Sequence, residues 1–136
     1  MRRKALIVED DAATRALLAD LVSSAGFETD IAADGELAVG LLTRNSYDVV
    51  VLDLILPKIS GTDIMEYLHC TKPHMLTKVV VVTGLDVAEI RKLFPDVCDA
   101  LGKPVVPNRL LRAMRACVGN DIANGGSSSG TARGIA

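Results

Sequence analysis

Short runs of apolar, mostly β-branched residues alternate along this chain with segments in which apolar residues recur every three or four positions. The first pattern is typical of buried strands and the second of amphipathic helices. The predicted strands cover residues 6–8, 27–32, 49–52, 79–82 and 97–101. The predicted helices cover residues 12–25, 35–42, 86–94 and 107–118. A further short helix is expected to end at Cys70 and to be capped by Thr62 or Asp63.

The order of these elements predicts the fold. Five strand-then-helix repeats require parallel strands joined by right-handed crossovers. The runs at 49–52 and 79–82 are apolar on both faces, so we expect them at the centre of the sheet with helices on both sides. The chain is therefore predicted to be an α/β domain with a doubly wound, five-stranded parallel sheet.

The composition changes character after the last predicted helix. Residues 124–130 read NGGSSSG, and no aromatic residue occurs beyond Val118. Such a segment cannot bury enough apolar surface to fold. We predict a folded domain over residues 1–118 and a flexible Gly/Ser-rich tail over residues 119–136.

Composition and charge exclude several classes of protein. The 136 residues are 49% hydrophobic but only 3% aromatic, which predicts an aliphatic core. Lys and Arg number 15 against 17 Asp and Glu, so no basic excess is available for binding nucleic acid. No stretch approaches the roughly 18 apolar residues of a membrane span. The expectation is a cytoplasmic protein without direct nucleic-acid or membrane binding, and its three cysteines are predicted to be reduced thiols.

Polar side chains follow four of the five predicted strands. The chain places them at Glu9, Asp10, Asp11, Asp53, Thr83 and Lys103. In open parallel sheets the carboxyl ends of the strands share one edge, and ligands bind there. We therefore expect these side chains to converge.

Converging carboxylates repel one another unless a cation joins them. Their oxygens suit Mg²⁺, which prefers oxygen ligands and retains several waters. A carboxylate can also act as a nucleophile and form an aspartyl phosphate. Mg²⁺, the Lys103 ammonium and the Thr83 hydroxyl are groups able to stabilise the oxygens of that product.

Several motifs in sequence order resemble the receiver domain of bacterial two-component response regulators. They are Asp-x-x-Leu-Pro-x-x-Ser-Gly from Asp53 to Gly61, the acidic run after the first strand, Thr83-Gly84 and Lys103-Pro104. The resemblance covers roughly residues 4–118 and is to a stand-alone, chemotaxis-regulator-like receiver, since no effector domain is expected after residue 118. It implies a flavodoxin-like strand order, 2-1-3-4-5, with the site where the first and third strands meet.

The resemblance also implies a role for each acidic residue. Asp53 corresponds to the phosphoacceptor. Glu9 and Asp10, with Asp53 and the backbone carbonyl of Ile55, correspond to the ligands of Mg²⁺. Asp11 is a secondary acidic candidate, and the favoured interpretation of it is a negative charge at the first turn of the following helix.

Three positions nearer the C-terminus complete the set that the resemblance implies. Thr83 corresponds to the switch hydroxyl and Lys103 to the lysine that stabilises the phosphoryl group. Pro104 would follow Lys103 through a cis peptide bond.

The chain departs from the family pattern in its second half. The family usually has Tyr or Phe three residues before the lysine, where this chain has Ala100. An aromatic rotamer switch is therefore impossible, and the signal must leave through another element. The segment 85–99 is also short, so a shortened or loosely packed fourth helix is expected.

The function implied is a phosphorylation switch whose partner is a sensor histidine kinase or a histidine phosphotransfer protein. The chain would catalyse only its own phosphoryl transfer and dephosphorylation, so it is not expected to be a metabolic enzyme. Apolar Ile55 and Leu85 beside the site predict a long-lived phosphoryl group. The alternative is a phosphorylation-independent, receiver-like interaction module, which Ala100 favours.

Overall fold

The computed structural model describes residues 2–126, with side chains to Gly119, and contains one five-stranded sheet. The strands are β1 (Lys4–Val8), β2 (Glu28–Ala32), β3 (Val49–Asp53), β4 (Val79–Thr83) and β5 (Asp99–Gly102). The helices are α1 (Ala12–Ser24), α2 (Gly35–Arg44), α3 (Gly61–Thr71), α4 (Val87–Leu93) and α5 (Pro107–Gly126). All neighbouring strands are parallel, and their order is β2-β1-β3-β4-β5. The predicted fold class and strand order are confirmed.

Helices cover both faces of the sheet. In β1, Ala5 and Ile7 face the layer that contains α1 and α5, whereas Leu6 and Val8 face α2, α3 and α4. Every residue of β3 and β4 is buried, as their continuous apolar sequences predict. Burying one such aliphatic side chain contributes about 1.5–3 kcal/mol. The sheet is therefore a rigid base for the residues at its carboxyl edge.

The start of α3 lies against the loop that follows β3. Ser60, not Thr62 or Asp63, caps this helix, and Asp63 completes a capping box with it. Gly61 donates its N–H to the carbonyl of Leu54 at 2.9 Å. A Cβ on Gly61 would lie 2.4 Å from the Leu54 Cα, so only glycine fits. The observed cap therefore lies two residues before Thr62 and three before Asp63.

The second half of the chain differs from the sequence prediction in three places. A 3-10 helix over Pro73–Lys78 was not predicted. The fifth strand begins at Asp99, two residues later than expected, because turns follow Pro95. α5 continues to Gly126, past the predicted end at Val118. Residues 127–136 of the predicted tail lie outside the described residues.

Two cysteines differ in state from the prediction. Cys98 and Cys117 form a disulfide, with their Cα atoms 6.1 Å apart, so the expectation of three reduced thiols is wrong for this pair. Cys70 is free and exposed. The pairing arises because the residue that precedes β5 and the inner side of α5 meet in the same apolar layer.

Over residues 2–126, none of the helices combines the length and the apolar character that crossing a bilayer requires.

Candidate functional site: an acidic cluster at the carboxyl edge of the sheet

The register of the strands brings the polar residues that follow them together. Val8 pairs with Leu52, so Glu9 and Asp53 leave neighbouring strands at the same level. Asp53 pairs with Val82, one residue before Thr83, and Thr83 pairs with Gly102, one residue before Lys103. Four segments distant in sequence thus deliver their side chains to one edge.

Three carboxylates form a cluster at this edge. Glu9, Asp10 and Asp53 each place one oxygen within 4.8 Å of the others. Glu9 and Asp53 are only 1% and 4% exposed, whereas Asp10 faces solvent. Two buried acids and one exposed acid at this spacing fit a hard divalent cation such as Mg²⁺, which takes carboxylate oxygens and keeps water on its open side.

The ammonium group of Lys103 joins the two buried acids. Its Nζ donates to Glu9 Oε1 and to Asp53 Oδ2, each at 2.9 Å. Burial alone would lower the pKa of Lys103, but its hydrogen bonds to Asp53 and then Glu9 outweigh burial and raise that pKa. Lys103 is therefore a fixed positive charge beside Asp53.

Glu9 is a carboxylate held in a poorly solvated position. Its burial raises the pKa of the carboxyl above the usual value, against the lowering effect of the hydrogen bond from Lys103. The Asp11 N–H also donates to Glu9 Oε2 at 3.1 Å. A cation bound here would relieve the repulsion between Glu9 and Asp53, which also raises this pKa.

Asp53 and Thr83 are each oriented by a backbone N–H two residues further on. The Ile55 N–H donates to Asp53 Oδ1 at 3.1 Å, and the Leu85 N–H donates to Thr83 Oγ1 at 3.1 Å. Both apolar residues are largely exposed, at 58% for Ile55 and 47% for Leu85. They form an apolar rim directly outside the carboxylate and the hydroxyl.

Asp11 occupies a different environment from the other acids. It caps α1, and its carboxylate accepts from the Thr14 N–H at 2.8 Å and from the Thr14 hydroxyl at 2.7 Å. These hydrogen bonds, led by the one from the hydroxyl, lower the pKa of Asp11. The structure therefore gives Asp11 a capping role and leaves it out of the cluster of Glu9, Asp10 and Asp53.

The peptide bond between Lys103 and Pro104 is cis, as the resemblance implied.

One positioning contact escaped the sequence analysis. Arg15 extends from α1 and donates from Nη1 to the backbone carbonyls of Glu9 at 3.1 Å and Asp10 at 3.2 Å. It thereby fixes the loop that carries two of the three acids. An arginine one helical turn after a cap is the only signal that the sequence offers for it.

A second such contact links α4 to β5. Arg91 Nη2 donates to Asp99 Oδ1 and to the carbonyl of Ala100, both at 2.9 Å. Ala100 itself is buried.

α4 is only 7 residues long, which confirms the expected shortening. A cavity of about 470 Å³ lies between the C-terminal end of α4, α3 and the 3-10 helix. That cavity shares no residue with the acidic cluster.

The chain is similar to known regulators over most of its length. It is 34% identical over 130 residues to the sensory transduction protein RegX3 of Mycolicibacterium smegmatis, a match that covers 92% of this chain and 55% of that protein. It is also 34% identical over 113 residues to response regulator MprA of a Mycobacterium species, covering 82% of this chain and 48% of that one. The chain spans about half the length of these relatives.

Solved structures share the fold. A CheY-like response regulator receiver domain protein from Methanospirillum hungatei superposes with a TM-score of 0.81 at 26% identity, covering 93% of this chain and all of that one. The receiver domain of the Francisella response regulator 1452 gives a TM-score of 0.79 at 27% identity, covering 88% of this chain and 99% of that one. The family model described as response regulator receiver domain matches residues 5–115. With the acidic cluster at the expected edge of the sheet, this chain belongs to the family of response regulator receiver domains.

Proposed function

We propose that this chain is a phosphoacceptor switch that receives a phosphoryl group on Asp53 in the presence of Mg²⁺ and changes a protein-docking surface in response. One observation carries the proposal. Three carboxylates lie within 4.8 Å of one another, and the Lys103 ammonium lies 2.9 Å from two of them. A nucleophile, a cation site and a fixed positive charge are thus adjacent.

The proposed Mg²⁺ ligands are the carboxylates of Glu9, Asp10 and Asp53, together with the backbone carbonyl of Ile55. When bound, the ion would neutralise charge on the transferred phosphoryl group. The burial of Glu9 and Asp53 supports this assignment, since the single positive charge of Lys103 balances only one of the three adjacent carboxylates. Arg15 supports it by holding the loop of Glu9 and Asp10 in place.

In the proposed reaction, an oxygen of the Asp53 carboxylate attacks the phosphorus of a phosphohistidine. The P–N bond breaks, its electron pair stays on the imidazole, and the imidazole takes up a proton as it leaves. The Ile55 N–H and Lys103 orient the attacking carboxylate. Lys103 is then placed to pair with an oxygen of the new aspartyl phosphate.

Thr83 is proposed as the group that senses the product. Its hydroxyl oxygen already accepts from the Leu85 N–H. Among the side chains described to residue 119, none accepts the proton of this hydroxyl. A phosphoryl oxygen on Asp53 would supply that acceptor, and movement of Thr83 toward it would shift the start of the loop that leads to α4.

The proposed partner is a sensor histidine kinase or a histidine phosphotransfer protein. Receiver domains of response regulators interact with histidine kinases, and the surface beside Asp53 suits such a partner. Three loops at this edge expose apolar side chains, those of Ile55, Leu85 and Val106. An apolar rim around a polar centre allows a partner helix to dock while its histidine approaches Asp53.

The proposal includes no metabolite substrate, because the chain would catalyse only the formation and hydrolysis of its own acyl phosphate. A phosphorylation-independent interaction module is the second candidate. Ala100 favours it, since a side chain without an aromatic ring cannot perform the rotamer switch of the family. The two candidates differ in whether Asp53 reacts.

Intact mass spectrometry after incubation with Mg²⁺ and acetyl phosphate tests this difference. We expect one phosphoryl group on the parent protein and none on Asp53→Asn. Asp34→Asn is the matched control, because Asp34 is also a strand-end acid but caps α2 and should leave the reaction unchanged. Omitting Mg²⁺ should abolish the adduct.

If the parent forms no adduct and also fails to bind beryllofluoride with Mg²⁺, the interaction module becomes the better explanation.

The phosphorylated parent protein also gives the lifetime of the adduct. Because the apolar side chains of Ile55 and Leu85 hinder the approach of water, we expect a half-life of minutes or longer. A half-life of seconds would contradict that expectation.

A further inference from the structure

The disulfide between Cys98 and Cys117 lies at the end of the sheet opposite the acidic cluster. Cys98 directly precedes β5, and its N–H donates to the carbonyl of Val79 at the start of β4 at 2.9 Å. Lys103 follows the other end of the same strand. The disulfide therefore ties α5 to the edge of the sheet without touching the residues that surround Asp53.

The two sulfur-bearing residues differ in exposure. Cys117 is buried among apolar side chains of the layer between the sheet and α5, at 5% exposed, with Met114 and Val118 in the same cluster. Cys98 is only partly buried and lines a cavity of about 140 Å³ at the surface. A reagent from solvent thus reaches Cys98 first.

The same cavity carries a cation beside Cys98. Arg91 lines it, and in the described structure only its Nη2 is engaged, by Asp99 and the Ala100 carbonyl. The species that attacks a disulfide is a thiolate, which is an anion. The remaining N–H groups of the Arg91 guanidinium would attract that anion, while the ion pair with Asp99 offsets part of its charge.

We propose that Cys98–Cys117 is a redox site, opened by a dithiol reductant that attacks the sulfur of Cys98. A thiolate of the reductant bonds to Cys98 Sγ, the Cys98–Cys117 bond breaks, and its electron pair passes to Cys117 Sγ, which takes up a proton. The second thiolate of the reductant then attacks the reductant's own first sulfur in the mixed disulfide. The bond between that sulfur and Cys98 breaks, and Cys98 Sγ leaves with the electron pair of this bond and is protonated. Two electrons and two protons have then entered the protein, and the reductant has become a disulfide.

The consequence lies in α5. The disulfide closes a loop across a sequence separation of 19 residues, which contains all of β5 and the first half of α5. Opening it removes the covalent restraint that holds α5 against the strand next to α4. Reduction is therefore expected to loosen α5 and to leave the acidic cluster unchanged. This inference does not depend on phosphorylation of Asp53.

Glutathione is the probe for the site of attack, because a monothiol has no second thiol of its own that could resolve the mixed disulfide intramolecularly. The protein carries Cys70→Ser, which removes the exposed free thiol, and is treated under native conditions with reduced glutathione, then alkylated and digested with trypsin. Cleavage after Lys92 and Arg115 separates the two cysteines. We expect glutathione on the peptide of Cys98 and the alkyl group on that of Cys117.

Three results would overturn the proposal. Glutathione on Cys117 would place the attack on the wrong sulfur. Reaction with glutathione only after denaturation would mean that the disulfide is inaccessible in the folded protein and has a structural role alone. Full alkylation of both cysteines without reductant, even after incubation with oxidised glutathione, would mean that the bond does not form.

Hydrogen exchange provides the second measurement. In the reduced protein, we expect amides between residues 110 and 118 of α5 to exchange about tenfold faster or more, whereas β1 and β3 keep their protection. The double variant Cys98→Ala/Cys117→Ala should match the reduced protein. Equal protection of α5 in the oxidised and reduced forms would overturn the proposed restraint.

Discussion

The carboxyl edge of the sheet and the region of α4, β5 and α5 are held together in different ways. At the edge, side chains from three strands meet around Asp53, and two of the acids are buried. In the other region, α4 is short and Ala100 carries no aromatic ring. The specific links there are the half-exposed ion pair of Arg91 and Asp99, the hydrogen bond from Arg91 to the Ala100 carbonyl, and a disulfide.

This difference suggests that the residues for the proposed chemistry and the surface for a proposed partner obey different structural requirements. Binding a cation and a phosphoryl group requires a fixed set of oxygen and ammonium groups, and strand register alone places them. The region that would present the result to a partner has no comparable chemical requirement. In this chain that region has Ala100 where the family usually has Tyr or Phe, and it contains the Arg91 hydrogen bond and the Cys98–Cys117 disulfide.

The largest effect is expected at Gly61, where the start of α3 lies against the end of β3. A Cβ at Gly61 would lie 2.5 Å from the carbonyl oxygen of Asp53, so Gly61→Ala must move backbone. We expect a loss of about 3 kcal/mol in the free energy of unfolding, measured by urea denaturation. Gly119→Ala in α5 is the control, since nothing lies within 4 Å and helix propensity should add about 0.5–1 kcal/mol. Equal stability of the two variants would contradict the expectation that the carboxyl edge tolerates substitution less well than α5.

The next effect comes from removing the ammonium group of the edge. Lys103→Met leaves Glu9 and Asp53 facing each other without a cation, and we expect a loss of about 2 kcal/mol in EDTA. Added Mg²⁺ should recover part of it. Lys92→Met, whose side chain is largely exposed, should change stability by no more than about 0.5 kcal/mol. A Lys103→Met variant as stable as the parent in EDTA would show that Lys103 does not offset a repulsion between Glu9 and Asp53.

A smaller effect is expected from pH, through Glu9. Burial raises the pKa of Glu9 in the folded protein above the usual 4.5, so the folded state holds this proton more tightly than the unfolded state does. The contribution of Glu9 to stability therefore falls as pH rises from 4.5 through the raised pKa.

The variant Glu9→Gln isolates this contribution. Without Mg²⁺, its stability relative to the parent should improve as pH rises above 4.5 through the raised pKa of Glu9, and then level off. Urea denaturation at several pH values measures the difference. A difference that moves the other way would mean that Lys103 stabilises the charged form of Glu9 more than burial disfavours it.

The smallest effect is expected in the other region. Arg91→Ala removes the hydrogen bonds to Asp99 and the Ala100 carbonyl, but the side chain is half exposed, so the loss should be at most about 1 kcal/mol. Phosphoryl transfer to Asp53 should be unchanged. Arg112→Ala on the exposed face of α5 is the control. A large fall in phosphoryl transfer for Arg91→Ala would show that the two regions are coupled directly.

The sequence predicted the fold and most of the edge because both depend on local pattern. Each strand is a short apolar run, and Glu9, Asp53 and Thr83 stand at or just beyond the end of one. Parallel register then brings them together without further information. The expected Mg²⁺ ligands and the role of Thr83 stay predictions until the phosphorylation experiment is done.

The features that the sequence did not reveal depend on contacts between distant side chains and backbone. Arg15 and Arg91 reach carbonyl groups of other elements, and no residue pattern distinguishes them from exposed arginines. The Cys98–Cys117 link depends on which side of α5 faces β5. The sequence predicted Thr62 or Asp63 as the cap of α3, whereas the cap is Ser60. The start of this helix depends on the close approach between Gly61 and the loop after β3.

The contacts of Lys103 also bear on the order of events in protein synthesis. Its two carboxylate partners precede it by 94 and 50 positions. A nascent chain that ends before β5 already carries every acid of the cluster but lacks the ammonium group between them, so it has a repulsive edge rather than a finished one. If Asp53 accepts a phosphoryl group as proposed, the complete set of acids and ammonium around it forms only when β5 joins the sheet and Lys103 reaches its two partners.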